Sequence, residues 1–227
     1  MKDNSVFTLG GAMAVLIGLI RLLTSIGFLL LPAEQRQTAA GPVFLPSYAQ
    51  GHVLLNSIFW GEALVGVFGL AVVPALAALV RGKGEGWLRW ASTLALGGFV
   101  VTSVGYLASI ARIPGIAKAF VAGDASTKAA LAVVWRSNPD LLGFWGYGAI
   151  GIWLLVIGVL ALGKPGVPKA LFYLGILLAV FYILVPISVI YKNDSLQSII
   201  AAAGAIIAAP WYIWAGIVLW RYPDKAP

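Results

Sequence analysis

Six long apolar stretches limit what this chain can fold into more than any other feature of its sequence. The hydrocarbon core of a bilayer is about 30 Å thick, so a helix that crosses it needs about 20 mostly apolar residues. The chain is 61% hydrophobic and 10% charged, whereas soluble domains carry about 25% charged residues. We therefore predict an all-α polytopic membrane protein, a bundle of six transmembrane helices in contact with the lipid bilayer. A single integral membrane domain would occupy residues 1–227, with spans over about residues 7–31, 53–80, 88–111, 141–162, 170–191 and 197–220.

Each of the first two spans contains one ionisable residue far from its ends. Arg21 lies ten positions before the end of the first span, and Glu62 lies nine positions after the start of the second. At 1.5 Å per helical residue, both are about 15 Å from the loop that joins the spans. A charge at this depth is unfavourable unless it is paired. We therefore predict that Arg21 and Glu62 form an ion pair near the bilayer midplane.

Residues 32–52 form the loop between these two spans and contain three prolines and two glycines. This composition favours an irregular segment, which we expect to cap the outer mouth of the bundle. The third span carries a polar stripe that ends on the same side of the membrane. It consists of Thr102, Tyr106 and Ser109, which recur at helical spacing.

Residues 112–140, between the third and fourth spans, are amphipathic rather than continuously apolar. They predict a short helix over about residues 116–121 and a second helix, capped by Asp124 or Ser126, that ends at Asn138 and Pro139. Amphipathic helices of this kind lie on the membrane interface. An ordinary extramembrane loop is the alternative. We expect this segment to pack on residues 32–52.

Four tryptophans lie inside predicted spans, away from the interfacial positions where tryptophan concentrates. An indole in lipid needs an acceptor for its N–H group. One interpretation is packing between helices, with each N–H group bonded to a carbonyl or hydroxyl oxygen. The other is an aromatic-lined pocket that opens toward residues 32–52. The candidate ligand-binding residues for such a pocket are Arg21, Trp60, Glu62, Tyr106, Trp153, Trp211 and Trp214.

Several chemistries are disfavoured by the residues that the chain lacks. It has no cysteine and one histidine, His52, so we expect no metal site and no cofactor. Its basic residues are scattered at helix ends instead of forming a stripe, which argues against a nucleic-acid partner. A nucleophilic triad would have to combine His52 with Ser47 or Ser57, and no strained elbow motif surrounds either serine. The sequence therefore leans away from an enzyme.

The distribution of basic residues predicts the orientation of the helices. Eight lysines and arginines lie in the short turns and termini on one side, and six lie on the other side in mostly longer loops. Basic residues concentrate on the cytoplasmic side of a membrane. We therefore expect both termini in the cytoplasm.

The order of features resembles that of a known protein family. The chain has six spans, a basic turn after the second, an amphipathic loop after the third, and GKPGVPKALFYLGILLAVFYIL at the start of the fifth, with Pro168 and Gly175 in it. Together with the stretch over residues 135–143, these features resemble a family of uncharacterised bacterial membrane proteins catalogued as a domain of unknown function, of the 4386 type. The resemblance implies the helical fold and a bacterial cytoplasmic membrane. It carries no catalytic residues.

Three classes of function are compatible with these features. The first is binding or transport of a small amphipathic or lipid-like molecule, with Arg21 facing its negative group. The second is a non-catalytic accessory bundle in a larger complex with partner membrane subunits, where Arg21 and Glu62 are structural. The third is an intramembrane enzyme. We rank ligand binding first because three prolines interrupt the spans, although prolines also occur in static bundles.

Overall fold

The regular structure of the chain is helical throughout the part that the computed structural model describes, which comprises residues 5–38, 40–82, 84–136, 142–191 and 194–222. A π-helical segment, Leu142–Gly148, leads directly into the seventh α-helix. The α-helices are α1 (Ser5–Leu30), α2 (Ala33–Arg36), α3 (Gly41–Gln50), α4 (Val53–Val80), α5 (Glu85–Ala122), α6 (Ala125–Arg136), α7 (Ala149–Leu162), α8 (Lys169–Ile190) and α9 (Asp194–Arg221).

Six helices are long and apolar enough to cross a membrane, as the sequence predicted. They are α1, α4, α5, α8, α9 and the continuous helix that the π-helical segment forms with α7. At 1.5 Å per residue, even the shortest candidate, 19 residues in α9, extends about 28 Å. The chain is a multi-pass membrane protein.

The spanning helices pack in a closed ring. Each helix contacts the next in the order α1, α4, α5, α7, α8 and α9, and α9 returns to contact α1. The α1 and α9 backbones approach closely because glycines face each other where they meet. A Cβ atom added at Gly216 would lie 2.6 Å from the carbonyl oxygen of Gly11. The large side chains buried inside the ring include Phe99, Trp153, Phe172, Trp211 and Tyr212.

A second hydrophobic cluster closes one end of the ring, which confirms that the two long loops pack on each other. Phe44 and Tyr48 of α3 are fully buried there with Ile113 and Phe120 of α5. Trp135 of α6 stacks on Phe44 with the ring centroids 5.4 Å apart. Its Nε1 donates a hydrogen bond of 2.8 Å to the carbonyl oxygen of Thr38. We call α2, α3, α6 and the end of α5 beyond residue 112 the cap.

The cap is more regular than the sequence predicted. Residues 32–52 contain α2 and α3, because Pro42 lies in the first turn of α3, where a helix tolerates proline. The prediction that this loop is irregular was therefore wrong. The buried side chain of Gln35 links α2 to α3. It donates hydrogen bonds to the carbonyl oxygen of Ser47, at 3.1 Å, and to that of Gly51.

The third span continues far past its predicted end. The sequence predicted a break after residue 111 and a separate helix over about residues 116–121, but α5 is unbroken from Glu85 to Ala122. Pro114 removes only the hydrogen bond to the carbonyl of Ile110, and the packing of Ile113, Ala117 and Phe120 in the cap holds the helix together. The second predicted helix is α6, and Asp124 caps it. Its predicted end at Asn138 and Pro139 lies outside the described residues.

Candidate binding site at the polar centre of the bundle

Arg21 and Glu62 form the predicted ion pair between α1 and α4. Arg21 Nη1 lies 2.5 Å from Glu62 Oε2, and the two residues are only 9% and 6% exposed. The two helices run side by side from a shared connection, so residues at equal distances from it face each other at the same depth. The ion pair places two opposite charges in the interior of the membrane-spanning bundle, and their sum is zero.

Two hydroxyl groups on α1 support the pair. Thr24 Oγ1 donates a hydrogen bond of 3.0 Å to Glu62 Oε1. Ser25 Oγ donates to the carbonyl oxygen of Arg21 over 2.6 Å. Arg21 Nε is buried and has no hydrogen-bond acceptor among the described residues, and buried Glu62 Oε2 has no hydrogen-bond donor among them, although it lies in the ion pair with Arg21 Nη1. The guanidinium group therefore has a donor to spare.

Four tyrosines, one from each of the other four spanning helices, lie within electrostatic range of the pair. Each interacts electrostatically with Arg21. Tyr106 and Tyr147 are joined by a side-chain hydrogen bond, and the rings of Tyr147 and Tyr182 meet edge to face at 5.2 Å. Each spanning helix thus contributes to a single site, which we call the polar centre. Its members are Arg21, Thr24, Glu62, Tyr106, Tyr147, Tyr182 and Tyr212.

Tyr147 reaches this site from the π-helical segment Leu142–Gly148. A π-helix has more residues per turn than an α-helix, so it changes the direction in which side chains project, and such segments frequently occur at functional sites. Gly143, Gly146 and Gly148 are all buried here, which lets the wide turn pack closely on its neighbours. Tyr147 was not among the predicted site residues, although three glycines around a tyrosine within a span were a visible signal.

The candidate tryptophans divide into two groups. Trp153 and Trp211 are completely buried in the ring. Trp211 Nε1 donates to the carbonyl oxygen of Leu171 over 3.1 Å, and Trp153 packs edge to face on Phe99. Trp60 and Trp214 face outward instead, with exposed fractions of 53% and 37%. Their depth in the spans was predictable, but the side of the helix on which they lie was not.

The donor set of the polar centre consists of one guanidinium group, one carboxylate and several hydroxyl groups. Such a set can bind an anion or a polar head group through Arg21 and the tyrosine hydroxyls. Within the described residues, no three histidine, aspartate or glutamate side chains come together as a metal site requires.

Comparison with known proteins gives one match. No curated protein and no solved structure matches the chain significantly. The model of one protein family, described as a domain of unknown function (DUF4386), matches residues 12–219 and therefore covers all six spanning helices. The chain belongs to this family.

Proposed function

We propose that the six helices form one membrane domain that binds or transports a small amphipathic or lipid-like molecule, whose negative group contacts Arg21 at the polar centre. The observation that carries this proposal is the buried Arg21 Nε, which has no acceptor in the part of the chain that the structure describes. A buried donor left unsatisfied costs about 1–3 kcal/mol, and more when it belongs to a charged group. An anionic ligand would supply the missing acceptor.

The surroundings of the pair match an amphipathic ligand in two respects. The hydroxyl groups of Tyr106, Tyr147, Tyr182 and Tyr212 can donate to a negative head group or accept from a polar one. Their aromatic rings, and Trp211, which packs on Tyr212 with the ring centroids 4.8 Å apart, are apolar groups against which a hydrocarbon tail would pack. The Glu62 carboxylate, which contacts Thr24 and Arg21, is negatively charged. It therefore repels a second negative group and would restrict where the ligand enters.

The experiment compares three probes with the same tail and different heads: dodecyl phosphate, dodecyltrimethylammonium and dodecyl maltoside. Binding is followed by indole fluorescence in detergent. We expect dodecyl phosphate to bind more tightly than the cationic and neutral probes. The double variant Arg21→Leu/Glu62→Leu should stay folded and lose that preference. Equal binding of the three probes by the parent, or an unchanged preference in the double variant, would overturn the proposal.

A matched control uses an ion pair outside the bundle. Glu85 and Arg89 form an exposed pair on the first turns of α5, with Arg89 Nη2 3.0 Å from Glu85 Oε2. The double variant Glu85→Gln/Arg89→Gln also removes one negative and one positive charge from the chain, and it leaves the polar centre intact. It should retain the preference for dodecyl phosphate.

The contacts that Glu62 makes with α1 favour a second candidate function. This carboxylate pairs with Arg21 and accepts a hydrogen bond from Thr24, as expected of a structural pair in an accessory bundle of a larger membrane complex. That function predicts copurification with partner membrane subunits in fixed stoichiometry. It also predicts no response to any of the three dodecyl probes.

We further propose that the domain resides in a bacterial cytoplasmic membrane with both termini in the cytoplasm. The greater density of basic residues in the short turns supports this orientation. A reporter fused after residue 227 tests it. Reporter activity only outside the cytoplasm would contradict the proposed orientation.

A further inference from the structure

An open groove of about 370 Å³ lies in the cap, away from the polar centre. One wall is formed by Tyr48 of α3 and by His52, which immediately precedes α4. The other wall is the end of α5, with Pro114, Ala117, Lys118 and Val121. We call it the cap groove.

The length of α5 places the cap groove at the level of the lipid head groups. The 38 residues of α5 extend about 57 Å, whereas the hydrocarbon layer is about 30 Å thick. Trp87 and Trp90 are exposed at the start of α5, as tryptophans at an interface are. Counting about 20 residues from them, the helix leaves the hydrocarbon layer close to residue 110. Residues 114–122 therefore lie in the head-group layer and just beyond it.

The lining of the cap groove combines apolar walls with positive charge. Pro114, Ala117 and Val121 are apolar, and the exposed side chain of Val121 continues the apolar surface outward. Lys118 supplies a cation, and no aspartate or glutamate is among the described residues that line the groove. A ligand that matches this surface carries a negative group next to an apolar segment.

His52 is held in a defined position beside Lys118. Its ring stacks on that of Tyr48 with the centroids 4.7 Å apart, and its Nδ1 lies 3.2 Å from the carbonyl oxygen of Tyr48. The Tyr48 hydroxyl in turn donates to Asn56 Oδ1 over 2.9 Å. With Nδ1 donating to the carbonyl, Nε2 of the neutral imidazole is the ring nitrogen left for a ligand, as an acceptor.

We propose that the cap groove binds an anionic phospholipid, with its phosphate at Lys118, a hydroxyl group of its head group at His52, and its glycerol and upper acyl segment on Pro114, Ala117 and Val121. The positive charge of Lys118 attracts an anionic head group more strongly than a zwitterionic one. The apolar wall selects a lipid over a free anion. The site is separate from the polar centre and does not depend on the function proposed there.

The test measures the affinity of the purified protein for phosphatidylglycerol and for phosphatidylcholine with identical acyl chains, by native mass spectrometry. We expect the parent to prefer phosphatidylglycerol and Lys118→Gln to bind it about fivefold more weakly, as expected for the loss of one lysine at a lipid surface. Lys118→Arg keeps the charge and should keep the preference. Lys128→Gln is the control, because Lys128 is equally exposed but lies on α6, outside the groove.

Several results would overturn the proposal. One is equal binding of the two lipids by the parent. Another is the same loss in Lys128→Gln as in Lys118→Gln, which would assign the preference to the net charge of the cap. Displacement of phosphatidylglycerol by inorganic phosphate would identify the groove as a site for a soluble anion. The double variant Arg21→Leu/Glu62→Leu leaves the groove unchanged and should still prefer phosphatidylglycerol, so this proposal and the proposed function fail independently.

Discussion

Thr24 Oγ1 donates a hydrogen bond of 3.0 Å to Glu62 Oε1, linking α1 to α4 beside the ion pair. We expect Thr24→Val, which keeps the shape of the side chain, to leave a buried acceptor without its donor. The free energy of unfolding should fall by about 1–3 kcal/mol. Ser25→Ala is the control, because Ser25 donates only to a carbonyl of its own helix. Unfolding by SDS in mixed micelles measures both variants, and equal losses would contradict the role assigned to Thr24.

The contribution of the ion pair to the stability of the protein can be measured with a double-mutant cycle. Arg21→Leu or Glu62→Leu leaves the other charge buried without its partner, which typically costs about 3–5 kcal/mol. The double variant removes both charges, and we expect it to recover most of that loss. Thermal unfolding in detergent gives the melting temperatures of the parent, the two single variants and the double variant. If each single variant is as stable as the parent, the pair does not contribute to stability.

The close contact of α1 and α9 predicts a steric effect at Gly216. A Cβ atom added there would lie 2.6 Å from the Gly11 carbonyl oxygen and 3.0 Å from the backbone nitrogen of Val15, neither of which can rotate away. We expect Gly216→Ala to destabilise the bundle by about 1–3 kcal/mol. Gly97→Ala, on α5 with open space around it, should be neutral or stabilising, since alanine favours a helix more than glycine does. Equal melting temperatures for both variants would disprove this packing.

The N-terminal capping of α6 by Asp124 predicts an effect of pH on stability. Asp124 accepts hydrogen bonds from the backbone N–H group of Thr127 and from the Ser126 hydroxyl, which lower the pKa of Asp124 to about 2. Because this pKa is depressed below its unfolded value of about 3.9, the contribution of Asp124 to stability is complete above pH 4. It is lost as the pH falls toward 2. The amide NMR signal of Thr127 should titrate with a midpoint near 2. A midpoint near 4 would contradict the capping role.

The ion pair was predictable from the sequence because a charge in lipid is so unfavourable that its position has few explanations. Counting from a shared loop gave the depth of Arg21 and Glu62, and adjacent helices brought them together. Tyr147, Tyr182 and Tyr212 were not predicted as site residues. Burying a neutral hydroxyl group costs less free energy than burying a charge, so its position is less constrained. Depth also does not specify the direction of a side chain around its helix, so Trp60 could not be assigned to the outer surface.

The cap was predicted in outline but not in its elements. The amphipathic pattern indicated α6, whereas α3 and the end of α5 both contain a proline inside the helix. From the sequence alone, the prolines of residues 32–52 predicted an irregular segment, and the third span was predicted to end near residue 111. Burial of Phe44, Tyr48 and Phe120 against each other outweighs the hydrogen bond that each proline removes. Tertiary packing of this kind is not visible in a local pattern.

The ion pair between α1 and α4 also constrains the order of assembly during synthesis. Arg21 leaves the ribosome before Glu62, and α1 alone would expose its charge to lipid at a cost of about 2.5–3.5 kcal/mol on insertion scales. The first two spanning helices therefore have a reason to enter the bilayer together as a hairpin, with the charges already joined. α9, made last, then completes the ring by fitting Gly216 against Gly11. Insertion intermediates that end after α4 should consequently be more stable in the membrane than those that end after α1.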